Sequence, residues 1–207
     1  MIGIIDYGVG NLFSIQRSLD YIGVKSLITK EASQLSACQQ IILPGVGAFA
    51  DAKKQLDEVA LSSVVCELAQ QGMPLLGICL GMQLLFEESH EFGVHPGLGL
   101  IPGKVISLKD ALNEQNIDLK VPHIGWNALD IQKNSPLTAN LKPKDQVYYV
   151  HSFYADCPKE YILATSEYGI EVTGIVQNKN IYGAQFHPEK SGDVGLTILK
   201  AFAEVKA

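Results

Sequence analysis

Apolar residues recur with two different periods along this chain, and the change from one to the other divides it. Met1–Asp6 is a short run rich in β-branched residues, and the glycines at 8 and 10 turn the chain before Asn11, which is placed to cap a helix. Leu12, Ile15, Leu19 and Ile22 then fall on one helical face. Lys25–Thr29 and Gln39–Leu43 read as short strands. Asp51 to Gln71 reads as helix, with a break near Ala60 and a stop at Gly72, just before Pro74. Pro74–Ile78 has the unbroken apolar character of a buried strand, and Leu80–Ser89 follows as a predicted helix carrying Leu80, Leu84 and Leu85 inward.

Strand then helix, repeated, implies right-handed crossovers and a parallel sheet covered on both faces. Beyond about Gly97 the pattern becomes strand-like. Gly99–Leu108, Leu119–Trp126, Val147–Tyr154, Tyr161–Ser166, Val172–Gln177 and Ile181–Phe186 all read as strands with turn signals between them. Asp193–Lys206 closes the pattern as a helix with Leu196, Leu199, Phe202 and Val205 on one face. The expected fold class is α/β: a mostly parallel open sheet with helices on both faces and a late antiparallel extension. With neither an internal repeat nor a linker, residues 1–207 are expected to form one domain.

Composition narrows the partners. The chain is 47% hydrophobic and 18% charged, as expected of a packed globular protein rather than a disordered one. Its net charge of −6 and its lack of a Lys/Arg-rich run make nucleic acid and anionic membrane poor partners. The start, MIGIIDYG, lacks the basic flank of a signal peptide, and no apolar run approaches the roughly 20 residues of a membrane span. Cys38, Cys66, Cys79 and Cys157 are scattered, with no CxxC pair, so neither a disulfide framework nor a zinc site is indicated and a reducing cytoplasm is expected.

One cysteine stands apart. Gly77-Ile78-Cys79-Leu80-Gly81 has the G-x-nucleophile-x-G form of an elbow, a strand-to-helix turn too sharp for side chains at the flanking positions. Such a turn exposes the nucleophile at the carboxyl edge of the sheet. A helix starting at Leu80 favours negative charge at its N-terminus, and the Leu80 N–H is aimed where an oxyanion would form. Cys38, Cys66 and Cys157 have no such setting and read as small core hydrophobes.

A nucleophilic thiol wants a base within reach and a third group to orient that base. Among the five histidines, His90 and His95 lie in a polar loop, while His123 and His151 end strand-like runs and are either structural or pocket-lining. His187 follows the apolar run from Ile181 and precedes Pro188-Glu189. Residues two apart in an extended chain point the same way, so Glu189 can reach one nitrogen of His187. Cys79, His187 and Glu189 thus form a candidate triad. Gly45 and Gly47 flank Val46 at the end of another strand, a backbone able to turn its amides towards a ligand. Gly45-Val-Gly-Ala-Phe-Ala50 also matches a dinucleotide fingerprint, but it lies outside the first strand–helix–strand unit and no acidic residue ends a following strand about 20 residues on.

Pro44-Gly-Val-Gly47, Gly77-Ile-Cys-Leu-Gly-Met-Gln83 and Phe186-His-Pro-Glu189 together resemble the triad (class I) glutamine amidotransferases. Asp6-Tyr-Gly-Val-Gly-Asn11, Phe86-Glu-Glu-Ser89, Pro122-His-Ile-Gly-Trp-Asn127, Val150-His-Ser-Phe153 and Glu189-Lys-Ser191 are similar to the branch of that family that serves histidine biosynthesis. The resemblance runs nearly end to end. It implies a flavodoxin-like sheet and hydrolysis of glutamine to glutamate and ammonia through Cys79, His187 and Glu189. The oxyanion would be held at Val46, Gly47 and Leu80. The bound glutamine would be held by Gly45, Gln83, Glu91, His151, Ser152 and Phe153. It further implies a partner, a cyclase subunit expected as a (β/α)8 barrel in a heterodimer, met through Trp126, Asn127, Tyr148 and Lys190. No metal or organic cofactor is called for. Glu91 also reads as an exposed loop acid, and Trp126, the only tryptophan, as a core residue. A stand-alone cysteine hydrolase would not need Gln83 or the 122–127 turn, and a catalytically dead binding domain would not need an intact triad.

Overall fold

A computed structural model describes residues 1–206; Ala207, the last residue of the expected domain, lies outside the described residues. In chain order, β1 (Ile2–Ile5) leads to α1 (Leu12–Tyr21), β2 (Ser26–Thr29), α2 (Ala32–Ser36), β3 (Gln40–Leu43), α3 (Phe49–Glu58), α4 (Leu61–Gln70), β4 (Leu75–Ile78) and α5 (Leu80–Leu84). The chain continues through β5 (Phe86–Ser89), β6 (His95–Pro96), β7 (Ile101–Ser107), α6 (Leu108–Glu114), β8 (His123–Ala128) and β9 (Asp130–Ile131). It ends with β10 (Gln146–His151), β11 (Phe153–Asp156), β12 (Ile162–Tyr168), β13 (Ile170–Asn178), β14 (Ile181–Ala184) and α7 (Gly192–Glu204).

An 8-stranded sheet runs in the order β2-β1-β3-β4-β14-β13-β12-β9. The first five of these strands pair in parallel, and β13, β12 and β9 extend the sheet with antiparallel pairings. The opening order 2-1-3-4 is flavodoxin-like and matches the expected fold class. Strand alternation assigns the faces. Ile41, Leu43 and Leu75 pack against Phe49, Leu56, Leu61 and Val65 of α3 and α4. Ile42, Leu76 and Ile78 face the other way, onto Ile15 and Leu19 of α1 and Ile198, Leu199 and Phe202 of α7. Each such side chain buried completely contributes roughly 1.5–3 kcal/mol relative to an exposed one, so both faces are strongly held. No helix of the described residues is long and apolar enough to cross a membrane.

The break near Ala60 is present: Ala60 has φ 57°, and α3 and α4 meet there. Several expected elements differ. The predicted helix Leu80–Ser89 stops at Leu84, and Phe86–Ser89 instead pairs with β7, Phe86 opposite Ile101 and Ser89 opposite Val105. That distant pairing overrides a helical period sustained over too few residues to prevail. Val147–Tyr154 is broken at Ser152, because β10 pairs with β8 while β11 pairs with β7 in another sheet. The helices α2 and α6 were not predicted, and α6 takes in Leu108, read as the end of a strand; both are short, and α6 begins where Ser107 accepts the Asp110 N–H at 3.2 Å. Asn11 makes no side-chain cap to α1; its amide is used elsewhere.

Candidate active site

The carboxyl ends of β3, β4 and β14 converge on one cleft. At the first turn of α5, a Cβ on Gly77 would lie 2.6 Å from the Gly81 carbonyl, and one on Gly81 would run into the carbonyl of Leu43. Glycine is therefore required on both sides of Cys79, and α5 is seated on the end of β3. Cys79 itself has φ 54° and ψ −114°, outside the regions ordinary residues favour. Its N–H donates to the Ala184 carbonyl at 2.7 Å, which ties the elbow to β14.

Three residues beyond β14, His187 is buried and its N–H donates to the Tyr148 carbonyl at 3.0 Å. Its Nδ1 lies 2.8 Å from Glu189 Oε1. Asn11 Nδ2 donates to the same oxygen at 3.2 Å, so the missing cap of α1 has become a brace for the triad. Glu189 Oε2 and His187 Nε2 are buried without hydrogen-bond partners. Burial pulls the His187 ring down, but attraction to the Cys79 sulfur and to Glu189 outweighs it and carries the ring up to about 9. The Cys79 contribution acts as attraction rather than as a formed hydrogen bond, since Nε2 has no aligned partner; the sulfur's own polar contact is 3.9 Å to the Val150 carbonyl.

The cleft has a volume of about 390 Å³, within the range that holds small ligands. Val46, Gly47, Cys79, Leu80, Gln83, Glu91, His151, Ser152, Phe153, His187 and Lys190 all line it, joined by Pro122 and Val150. Gly45 does not; it backs against Leu80 and Gly81. Glu189 stands behind His187, away from the opening. Gln83 Nε2 donates to the Phe153 carbonyl at 2.9 Å and to Gln185 Oε1 at 3.1 Å. Glu91 is half-buried rather than a free loop acid, and its Oε2 accepts the Phe49 N–H at 2.6 Å at the start of α3. Among the described residues no group of three or more His, Cys, Asp or Glu side chains is arranged to hold a metal ion.

The turn from Pro44 to Gly47 is held at its two ends. Tyr7, a buried phenol, donates to the Pro44 carbonyl at 2.7 Å, and Glu91 holds Phe49 just beyond the turn. Between these points no hydrogen bond within the described residues engages the amides of Gly45, Val46 or Gly47. Tyr7 and the bracing use of Asn11 were not legible as site features, although both lie in the glycine-rich stretch from Asp6 to Asn11.

The other group of predicted residues lies beside the cleft. Trp126 is 55% exposed, its ring edge-on to Tyr148 with centroids 6.1 Å apart, and Lys190 Nζ stands 5.9 Å over the Tyr148 ring. Asn127 follows on the same strand, but its amide is committed inward, donating to the Glu167 carbonyl at 2.9 Å. His90 pairs with Glu88 on the surface.

Comparison with known proteins gives a consistent picture. The family model described as glutamine amidotransferase class-I matches residues 3–204. The chain is 53% identical over 205 residues to the imidazole glycerol phosphate synthase subunit HisH of Listeria monocytogenes serotype 4a, covering 99% of this chain and 96% of that one. It is 48% identical to the protein of the same name from Bacillus cereus strain G9842, covering 99% and 95%. Among solved structures, a glutamine amidotransferase crystal structure is similar with a TM-score of 0.75 at 19% identity, covering 99% of each chain. The structure of PurLQS from Thermotoga maritima is similar with a TM-score of 0.74 at 18% identity, covering 97% and 96%. At such identities the last two speak to the fold alone.

Proposed function

The chain belongs to the class-I glutamine amidotransferase family, and on that premise we propose that residues 1–207 form one glutaminase domain whose triad is Cys79, His187 and Glu189. It hydrolyses glutamine to glutamate and ammonia and is a subunit of an imidazole glycerol phosphate synthase, in histidine biosynthesis. The observation that carries the assignment of roles is the meeting of a strained elbow cysteine with a histidine braced 2.8 Å from a buried carboxylate.

The chemistry follows from that placement. His187, charged by the proton it has taken from the thiol, faces the Cys79 sulfur as the sulfur attacks the carboxamide carbon, and the oxyanion lies against the N–H of Leu80 and an N–H of the Val46–Gly47 turn. His187 passes its proton to the departing nitrogen, so ammonia leaves and a glutamyl thioester remains. His187 then accepts a proton from water, hydroxide adds to the thioester, and glutamate is released with the thiol restored. Glu189 accepts the Nδ1–H of His187 throughout, which fixes the ring and stabilises its charged form. Gln83, Glu91 and the 151–153 segment hold the amino acid; Gly45 contributes by letting the turn approach Leu80.

The partner is a cyclase subunit, a (β/α)8 barrel, which receives the ammonia in a heterodimer inside a reducing cytoplasm. Trp126, Asn127, Tyr148 and Lys190 form the contact. The large exposed aromatic beside the cleft supports this surface, because few soluble surfaces leave a tryptophan and Ile124, 59% exposed, side by side without a use. The test is glutamate release from glutamine by the chain alone and with a cyclase subunit. Release that needs the partner supports the assignment, and partner-independent release at full rate points to a stand-alone hydrolase.

A further inference from the structure

The cleft holds two histidines, and the chemistry above uses one. The other, His151, sits directly opposite His123 in the β8–β10 pairing, and both are buried. His123 Nδ1 lies 3.0 Å from His151 Nε2, and His151 Nδ1 lies 2.9 Å from the Phe153 carbonyl. At the far end, Asn127 Nδ2 lies 3.4 Å from His123 Nε2.

The polarity of this chain is fixed from both ends. Asn127 Oδ1 accepts the Ala128 N–H at 2.8 Å and Nδ2 donates to the Glu167 carbonyl, so the amide cannot be turned over. Its second N–H is then presented to His123 Nε2, which must accept. A neutral ring that accepts at Nε2 carries its proton on Nδ1, and His123 Nδ1–H therefore donates to His151 Nε2. His151 in turn carries its proton on Nδ1 and donates to the Phe153 carbonyl. Starting instead from that carbonyl, which can only accept, returns the same assignment. An added proton on either ring would set two N–H groups face to face. Burial opposes it as well, pulling His151 down to about 3 and His123 to about 4. The His123 ring is also stacked on Tyr149 and Tyr168, with centroids 4.8 and 4.0 Å apart.

We propose that His123, which lies outside the cleft, is a positioning residue: it locks His151 as a neutral Nδ1–H ring that grips the Phe153 carbonyl and so sets the shape of the glutamine-binding segment. The segment needs such a device. Ser152 belongs to neither β10 nor β11, and its carbonyl accepts the Leu108 N–H at 2.9 Å where the chain passes from one sheet to the other. The Phe153 carbonyl also accepts from Gln83, so the grip extends across the cleft floor. Because both His151 nitrogens are occupied, His187 is left as the only histidine of the cleft free to move a proton.

The inference rests on the glutaminase reading, and the test has an arm that does not. Imidazole ¹⁵N–¹H correlation spectra of the full chain at neutral pH, with and without its cyclase partner, are expected to show both His123 and His151 as neutral Nδ1–H rings. An Nε2–H form or a doubly protonated ring at either position overturns the proposal. For turnover in the complex, His123→Phe keeps the stacked ring and removes the donor. It is expected to raise KM for glutamine roughly tenfold and to change kcat by less than about threefold. His123→Asn, whose amide can donate from near the Nδ1 position, is expected to bring KM back to within about threefold of wild type. An unchanged KM in His123→Phe, or a KM in His123→Asn as poor as in His123→Phe, overturns it. Should His123→Phe not fold, the spectra and His123→Asn still decide. A wild-type complex that releases no glutamate sinks the glutaminase reading, while the spectra still report on the histidine chain.

Discussion

At Cys79 the backbone holds a conformation that costs of order 1–3 kcal/mol, sustained because Gly77 and Gly81 let three segments close around it. The residue is worth that cost only if its sulfur does something, and the division of labour in the triad follows. Cys79→Ala should abolish glutamate release, since no other group forms the thioester, while leaving a cyclase partner able to use free ammonia. His187→Ala should approach the same loss. Glu189→Gln should be milder, because it disturbs the orientation of the base without removing it, and the His187 backbone is still tied to the Tyr148 carbonyl. Steady-state glutamate release by the three variants checks the order; substantial release by Cys79→Ala, or alkylation of another cysteine by a glutamine analogue, counts against it.

The β8–β10 ribbon is where charge and folding meet. His123 and His151 are held below their ordinary value of 6.5 by burial, so the unfolded chain binds more protons than the folded one at mildly acid pH. Their neutral state supports the fold in full above pH 6.5, and that support is lost as pH falls towards about 4 and below. His187 has the opposite sign: raised to about 9, it supports the fold below pH 6.5 and loses that contribution as pH rises through about 9. Urea titrations between pH 7 and 4.5 should show stability falling with acid, and falling less steeply in His123→Asn. Identical slopes for the two proteins would refute the ribbon as the acid-sensitive element.

For the whole molecule, the open question is how the cleft responds to a partner. Trp126 is too exposed for the alternative reading of it as a core residue. Truncating an interface aromatic commonly costs about 2 kcal/mol or more, roughly thirtyfold in affinity. Trp126→Ala should therefore weaken cyclase binding by about that factor, with the melting temperature of the isolated chain little changed; unaltered affinity in a titration would remove Trp126 from the interface. The chain alone should also turn over glutamine poorly. Among the described residues no hydrogen bond holds the Val46 peptide, while Tyr7 and Glu91 fix the turn on either side, so two orientations are open to it. Losing one oxyanion donor costs about 100- to 1000-fold in rate, enough for a gate, and the partner must bind the two orientations differently to throw it. Glutamate release should rise by that order on adding the cyclase, with KM changing far less. Equal turnover with and without it would end the gating hypothesis.

Much of this was legible in the residues themselves. The alternation of apolar strands with amphipathic helices specified a mostly parallel sheet, because each period places side chains on one face whatever the rest of the chain does. The elbow glycines around Cys79 were legible from their spacing, and the clash a side chain at Gly77 would cause lies within the turn; the one at Gly81, against the Leu43 carbonyl, appeared only in the folded chain. Short, ambiguous segments were not. Phe86–Ser89 has one apolar residue and no period of its own, so it read as the tail of a helix until the approach of β7 decided it. Asn11 looked like a cap and became a brace for Glu189, a residue 178 positions away. His123 and His151 were two strand-end histidines until antiparallel register set them opposite one another. Local sequence fixes what a residue can donate, accept or bury; which group stands 3 Å away is decided by long-range pairing, and that is why hydrogen-bond direction, tautomer and role appeared only in the folded chain.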